Sequence, residues 1–303
     1  MCIKTYLFSS FQEIHKIYKC AGSQKKNTCG PFTLAYILNG LGFISHNKHK
    51  IDEDYLAYLS GVQISREDYI RLEKIKKNIQ EGNLSPKEAE KNFPDVYYRY
   101  ELPYSEKDSE IGTSCKGIIR ACEISTDNKM TAIPVPSIRN GVLYFTEKRF
   151  SQLTRFIIEF RKNYSFQIIL NYRTDKLLYM NSKNYNLFNL FFSKDPVKLI
   201  ENDPWAEGHF VSTCGIIEYQ GKEFYIIRDT YKNKGYEGYH IQPADILRKA
   251  LIRNDDREGG MLFIIPENYK KDIEKVITEM GFVIDTWDNG SVFHKLKKLI
   301  KIN

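Results

Sequence analysis

Residues 24–40 read QKKNTCGPFTLAYILNG and join a polar lead-in to a run that is almost entirely apolar. Pro31 suits the first turn of a helix, because proline lacks the N–H group that would stay unpaired there. The following residues are apolar on nearly every side, which predicts a helix that is buried on most of its faces. Gly40 and Gly42 fit the usual end of such a helix. The stretch therefore predicts a buried helix that begins near Cys29.

A cysteine at a helix start lies beside free backbone N–H groups and the positive end of the helix dipole, which favour a thiolate. Gln24, five residues before Cys29, can supply a side-chain amide donor to an oxyanion. The alternative is that Cys29 is a buried thiol that merely begins a core helix. This stretch by itself leaves both interpretations open.

The composition predicts a folded protein with a large core. Of the 303 residues, 42% are hydrophobic and 14% aromatic, which argues against global disorder. The formal net charge of +7 is spread along the chain, so no specific nucleic-acid partner is expected. Residues 294–301 form one dense basic patch. We interpret it as an amphipathic last helix with a solvated lysine face, although such a patch can also contact nucleic acid or an anionic membrane.

The cysteines indicate a reducing compartment. They lie at positions 2, 20, 29, 115, 122 and 214, without a CxxC pair. No signal peptide is recognisable in the sequence, so none is expected. Free thiols and a cytoplasmic location are therefore expected, with export as an effector by a signal-independent route left open. The longest apolar runs are strand-sized, so no membrane span is predicted. No ligand spacing indicates a metal or an organic cofactor, and His46 and His49 are expected to be surface residues.

The N-terminal half carries mostly helical patterns. Residues 52–59 and 65–80 have helical periodicity, and residues 85–88 read SPKE, a helix start with proline just inside. Cys115 and Cys122 lie seven residues apart on another predicted helix and are expected to be core thiols. Residues 46–145 therefore look like a helical insertion, which would make residues 1–303 one domain with an insertion.

The C-terminal half carries strand patterns. Residues 208–219 and 223–229 are β-branched and aromatic and flank Gln220-Gly221, which predicts an antiparallel hairpin. Residues 166–172 and 260–266 are further predicted strands. The fold class expected is α+β, with an antiparallel sheet in the C-terminal half packed against helices that include the cysteine-bearing one.

The predicted hairpin brings two polar residues together. His209 lies near the start of its first strand and Asp229 at the end of its second, so both belong to the same end of the hairpin. A carboxylate–imidazole hydrogen bond is expected between them. A thiol nucleophile needs a base, a group that orients the base and donors for the oxyanion. Cys29, His209, Asp229 and Gln24 supply these four types of group. His240 is a lesser candidate for the base.

Taken together, Gln24, the Cys29-Gly30-Pro31 helix start, Gly208-His209-Phe210-Val211 and Asp229-Thr230 resemble the papain-like cysteine peptidases. The match looks closest to the leader-peptide (double-glycine) peptidases of bacteriocin exporters and their soluble relatives. Phytochelatin synthases are similar at the cysteine-glycine helix start and at the Gly-His-Phe strand. The resemblance implies a papain-like fold. It also implies that Cys29 is the nucleophile, His209 the base, Asp229 its orienting partner and Gln24 part of the oxyanion hole.

The function expected from this resemblance is hydrolysis of a peptide or isopeptide bond in a peptide or protein substrate, through an acyl-enzyme and without metal or cofactor. One alternative is an acyl or γ-glutamyl transferase, a transglutaminase or a deamidase with the same triad. Another is a non-catalytic binding module on a papain-like frame. A separate alternative is that Cys2 becomes an N-terminal nucleophile after removal of Met1.

Overall fold

The computed structural model describes residues 3–178, 205–253 and 255–294. The chain divides into two compact units, each built from two segments. Unit 1 comprises residues 1–13 and 131–289, and unit 2 comprises residues 14–130 and 290–303. Their described parts contain nine α-helices: α1 Phe11–Cys20, α2 Cys29–Gly40, α3 Glu53–Ser60, α4 Arg66–Gln80, α5 Pro86–Asn92, α6 Cys115–Ser125, α7 Glu147–Phe160, α8 Ala244–Ile252 and α9 Lys270–Glu279.

The strands fall into one large sheet and three two-stranded pairs. The large sheet has seven strands: β1 Lys4–Leu7, β6 Met130–Pro136, β9 Gln167–Arg173, β10 Gly208–Tyr219, β11 Lys222–Arg228, β12 Tyr239–Pro243 and β13 Gly260–Pro266. The small pairs are β2 Ser45–His46 with β3 His49–Lys50, β4 Ile64–Ser65 with β5 Tyr104–Ser105, and β7 Ile138–Arg139 with β8 Val142–Leu143. In the large sheet the order is β12-β11-β10-β9-β13-β6, and β1 also pairs with β10.

Strand β10 organises unit 1. Its first half pairs antiparallel with β9, its second half pairs antiparallel with β1, and β11 lies along its other edge. Almost every side chain of β10 is buried, as its run of β-branched and aromatic residues predicts. The core of the unit forms between this sheet and apolar residues of α7, α8 and α9, including Leu153, Leu247 and Ile273.

Unit 2 is mainly helical. Helix α2 is buried from Gly30 to Leu38 and packs against α3 and α6. Gly30 permits this close contact, because a Cβ atom there would lie 2.8 Å from the Ile118 Cδ1 atom of α6 and that side chain would have to shift. The ends of the neighbouring helices follow ordinary capping chemistry, and Ser85 and Glu88 form a complete capping box at the start of α5.

The structure confirms the coarse α+β prediction with an antiparallel sheet, and it confirms the helix at Cys29 and the hairpin. Residues 46–130 of the predicted insertion belong to the same unit as α2, whereas residues 131–145 belong to unit 1. Cys2 and residues 295–301 of the predicted tail helix lie outside the described residues. None of the described helices is long and apolar enough to cross a membrane.

Candidate active site

His209 and Asp229 form the hydrogen bond that the hairpin predicted. The Nε2 atom of His209 lies 3.0 Å from Oδ1 of Asp229. Both side chains are buried, with 1% of the His209 surface and 3% of the Asp229 surface exposed. An imidazole and a carboxylate in such contact can share a proton, and the contact engages Nε2.

A β-bulge determines that these two residues share a face of the sheet. Near the turn, β10 and β11 pair in the regular register of a two-residue hairpin. If that register continued to the start of β10, His209 would lie opposite Lys232. Asp229, three residues before Lys232, would then point to the other face.

The bulge lies at Cys214, between Thr213 and Gly215, where β10 carries one extra residue. Beyond it the pairing shifts by one, to Thr213 with Ile227 and Ser212 with Arg228. His209 lies three residues before Ser212 and Asp229 one residue after Arg228, so the alternation along the strands directs both side chains to one face. The His209 ring also stacks on Tyr231, with 5.5 Å between the centroids.

Asp229 is held from several directions. Its Oδ1 atom also accepts the backbone N–H of Tyr231 at 3.0 Å, while Oδ2 lies 3.4 Å from the Tyr172 hydroxyl and 3.4 Å from Nε2 of His240. Burial by itself would raise the pKa of Asp229, but the charge of His209 and the hydrogen bonds from both histidines outweigh it and hold that pKa well below its usual value. Asp229 is therefore a carboxylate throughout the physiological range.

Aromatic rings surround the His209 imidazole. Trp205 meets it edge-on at 5.0 Å between centroids, and Tyr172 does so at 6.1 Å. The Thr230 hydroxyl lies 3.1 Å from His209 Nε2, beside the Asp229 contact. Such rings limit the access of water to the imidazole–carboxylate pair, which strengthens the hydrogen bond between them.

Cys29 is the first residue of α2 in unit 2, as predicted, and is partly exposed. Gln24 precedes it in a non-helical segment, and its Oε1 atom is buried. The helix has no side-chain cap at Thr28, so its first backbone N–H groups do not bond to a capping side chain there. This is the setting in which a backbone N–H can serve an oxyanion.

Glu53, at the start of α3, holds the segment before Cys29 through hydrogen bonds. Its Oε1 atom accepts the backbone N–H of Lys25 at 2.6 Å and lies 2.5 Å from the Thr28 hydroxyl. Thr28 Oγ1 also lies 2.8 Å from the Lys25 carbonyl, and a hydroxyl has only one proton to donate. When that proton goes to the carbonyl, the contact with Glu53 requires a protonated carboxyl group. Burial raises the pKa of Glu53 to about 7, although the hydrogen bonds from the Thr28 hydroxyl and the Lys25 backbone N–H lower it.

Lys25 anchors the same segment from the other side. Its ammonium group is buried and donates to Asp54 at 2.7 Å and to the Tyr97 carbonyl at 2.5 Å. Asp54 also accepts from the Arg99 guanidinium at 3.0 Å. Sequence reasoning missed Glu53 and Lys25, since a lone acidic or basic residue in a charged stretch carries no signal of burial.

The remaining cysteines and histidines separate into buried and accessible groups. Cys115 and Cys122 are buried, as predicted, and burial raises the pKa of Cys122 far above its usual value. Cys20 is exposed. The prediction for His46 was wrong: it is buried and lies 2.7 Å from the Tyr55 hydroxyl and 3.1 Å from Asp127, because β2 and β3 fold it inward. Among the described residues, no group of three or more His, Cys, Asp or Glu side chains has an arrangement that could hold a metal ion.

Fold and geometry thus define an α+β protein with a buried carboxylate–histidine pair in one unit and a helix-start thiol in the other. The model of a family of unknown function (DUF6885) matches residues 8–288, and the chain belongs to that family. No curated protein matches the chain.

Proposed function

We propose that this protein is a papain-like cysteine hydrolase, most directly a peptidase, whose triad is Cys29, His209 and Asp229. The observation that carries the proposal is the buried hydrogen bond between His209 Nε2 and Asp229 Oδ1. Because the carboxylate engages Nε2, the proton-transfer role falls to Nδ1.

In the proposed reaction the Cys29 thiolate attacks a scissile amide carbonyl and forms a thioester acyl-enzyme. His209 first takes the proton of the thiol and donates it to the leaving amine. It then removes a proton from the water that attacks the acyl-enzyme. Asp229 holds the imidazole in one tautomer and stabilises its protonated form. The Cys29 backbone N–H and the Gln24 amide stabilise the tetrahedral oxyanion. The free thiols of Cys20, Cys29 and the buried cysteines suit a reducing, cytoplasmic setting.

An electrophilic epoxide probe tests the thiol chemistry. We expect Cys29 to be labelled at least about tenfold faster than Cys20, although Cys20 is the more exposed thiol, because an activated thiolate reacts faster than an ordinary thiol. His209→Ala should lower the Cys29 rate about tenfold and leave the Cys20 rate unchanged. His15→Ala is the matched control. Site-resolved mass spectrometry gives both rates, and equal rates at Cys29 and Cys20 would contradict the proposal.

A peptide library derived from a digested proteome tests the reaction type. New termini that depend on Cys29, and persist in Cys20→Ala, indicate hydrolysis. Products that carry an added primary amine indicate transfer to an acceptor instead. The protein is a binding module if the wild type leaves the peptide library unchanged and if the epoxide probe labels Cys29 no faster than the other thiols of the protein.

A further inference from the structure

Gln242 has a fixed orientation that the hydrogen bonds around it determine. Its Oε1 atom accepts the backbone N–H of Leu178 at 3.0 Å, and its Nε2 atom donates to the Leu178 carbonyl at 3.0 Å. An N–H group must face an oxygen and a carbonyl must face an N–H group, so the reverse orientation of the amide would lose both bonds. The second proton on Nε2 is then aimed elsewhere.

That second proton determines the tautomer of His240. Gln242 Nε2 lies 3.0 Å from Nδ1 of His240, and a donor must meet a lone pair. His240 Nδ1 is therefore unprotonated, and the proton of the neutral ring is on Nε2. His240 and Gln242 are buried, at 5% and 1% exposure, which leaves little room for the ring or the amide to turn.

His240 Nε2 in turn faces Asp229. It lies 3.4 Å from Oδ2, whereas Oδ1 is the oxygen that His209 contacts. Among the described residues, His209, His240 and Tyr172 are titratable groups that contact this carboxylate. A carboxylate oxygen only accepts, so the 3.0 Å contact with Oδ1 places the proton of a neutral His209 on Nε2 as well. The donor on Oδ2 helps to resist rotation of the carboxylate away from His209.

We propose that Gln242 and His240 are positioning residues for the His209–Asp229 pair: the Leu178 backbone orients Gln242, Gln242 selects the Nε2–H form of His240, and His240 holds Asp229. The inference rests on the proposed function for its catalytic meaning, because this order of hydrogen bonds makes Nδ1 of His209 the basic nitrogen. Its structural content is independent of any reaction.

Nitrogen NMR of the six histidines tests the inference without a substrate. In the wild-type protein at neutral pH, His240 and His209 should both appear as Nε2–H tautomers. His240→Leu removes one donor to Asp229 Oδ2 and leaves the Tyr231 N–H and the Tyr172 hydroxyl on the carboxylate, so it should shift only part of the His209 population to the Nδ1–H tautomer. His240→Gln places an amide N–H near the former Nε2 position and should restore the single tautomer. Gln242→Glu replaces the donor to Nδ1 by an acceptor, so His240 should acquire a proton on Nδ1.

The labelling rate of Cys29 gives the catalytic readout. We expect His240→Leu to lower it about fivefold, the effect of one hydrogen bond, and His240→Gln to stay within about twofold of wild type. An Nδ1–H tautomer of wild-type His240, or an unchanged His209 in folded His240→Leu, overturns the inference. If Cys29 is unreactive in the wild type but the tautomers follow the prediction, the proposed function fails and the positioning role of His240 stands. If His240→Leu does not fold, the tautomers of the wild-type histidines and the tautomer of His240 in Gln242→Glu still test the inference.

Discussion

At the scale of single residues, the space beside Gly208 explains why a glycine precedes His209 in the candidate site. The Arg253 guanidinium lies where a side chain would be, since a Cβ atom on Gly208 would be 2.4 Å from Arg253 Nη1. Arg253 cannot simply move aside. Its side chain is fully buried, it donates twice to Asp255, and its backbone has a φ of 56°, in the region that favours glycine.

Gly208→Ala should therefore lower the free energy of unfolding by about 1–3 kcal/mol, the usual cost of overpacking a buried site. In an Arg253→Ala background the same change should cost less, because the colliding group is gone. Urea denaturation followed by tryptophan fluorescence measures this, since Trp205 and Trp287 both belong to unit 1. An equal cost in both backgrounds would show that the Arg253 contact is not the cause.

At the scale of elements, the contact between α2 and α6 fixes the helix that carries Cys29. Gly30 is the second residue of α2, and a Cβ atom there would lie 2.8 Å from Ile118 Cδ1 and 2.9 Å from Thr113 Cγ2, so these side chains would have to shift. Gly22 offers a matched control, because it lies in the preceding loop with nothing within 4 Å of an added Cβ atom.

Gly30→Ala should lower the stability of unit 2 by about 1–3 kcal/mol and speed amide hydrogen exchange along α2. Gly22→Ala should be neutral or stabilise by up to about 1 kcal/mol, through the loss of conformational freedom in the unfolded chain. Hydrogen exchange followed by mass spectrometry measures the exchange rate of the backbone amides in α2. Faster exchange in both variants alike would argue against a packing effect.

At the scale of the whole molecule, the proton on Glu53 links stability to pH. Its pKa is about 7 in the folded protein and 4.5 in a free side chain, so the folded state binds the proton more tightly. The stabilisation is then complete below pH 4.5 and is lost as the pH rises through 7. The charged groups that face this carboxyl are Lys25, whose charge lowers its pKa, and Asp54, whose charge raises it.

Glu53→Gln keeps an acceptor for Lys25 and Thr28 but removes the titration. We expect the wild-type protein to lose up to about 3 kcal/mol of stability between pH 4.5 and 8 through this group, and the variant to lack that part of the slope. Urea denaturation followed by circular dichroism at several pH values measures both curves. Glu67→Gln, in the first turn of α4, is the control for a change of net charge. Parallel curves for wild type and Glu53→Gln would contradict the assignment.

Local patterns in the sequence determined the buried helix at Cys29, the hairpin and the closeness of His209 to Asp229, because periodicity, turn residues and helix capping act over a few neighbouring residues. They did not determine on which face Asp229 lies. That depends on the bulge at Cys214, which arises where β10 exchanges one neighbour for another in the sheet. Tertiary packing alone decided the burial of His46, the raised pKa of Glu53 and the orientation of Gln242, since each depends on contacts with residues from other elements.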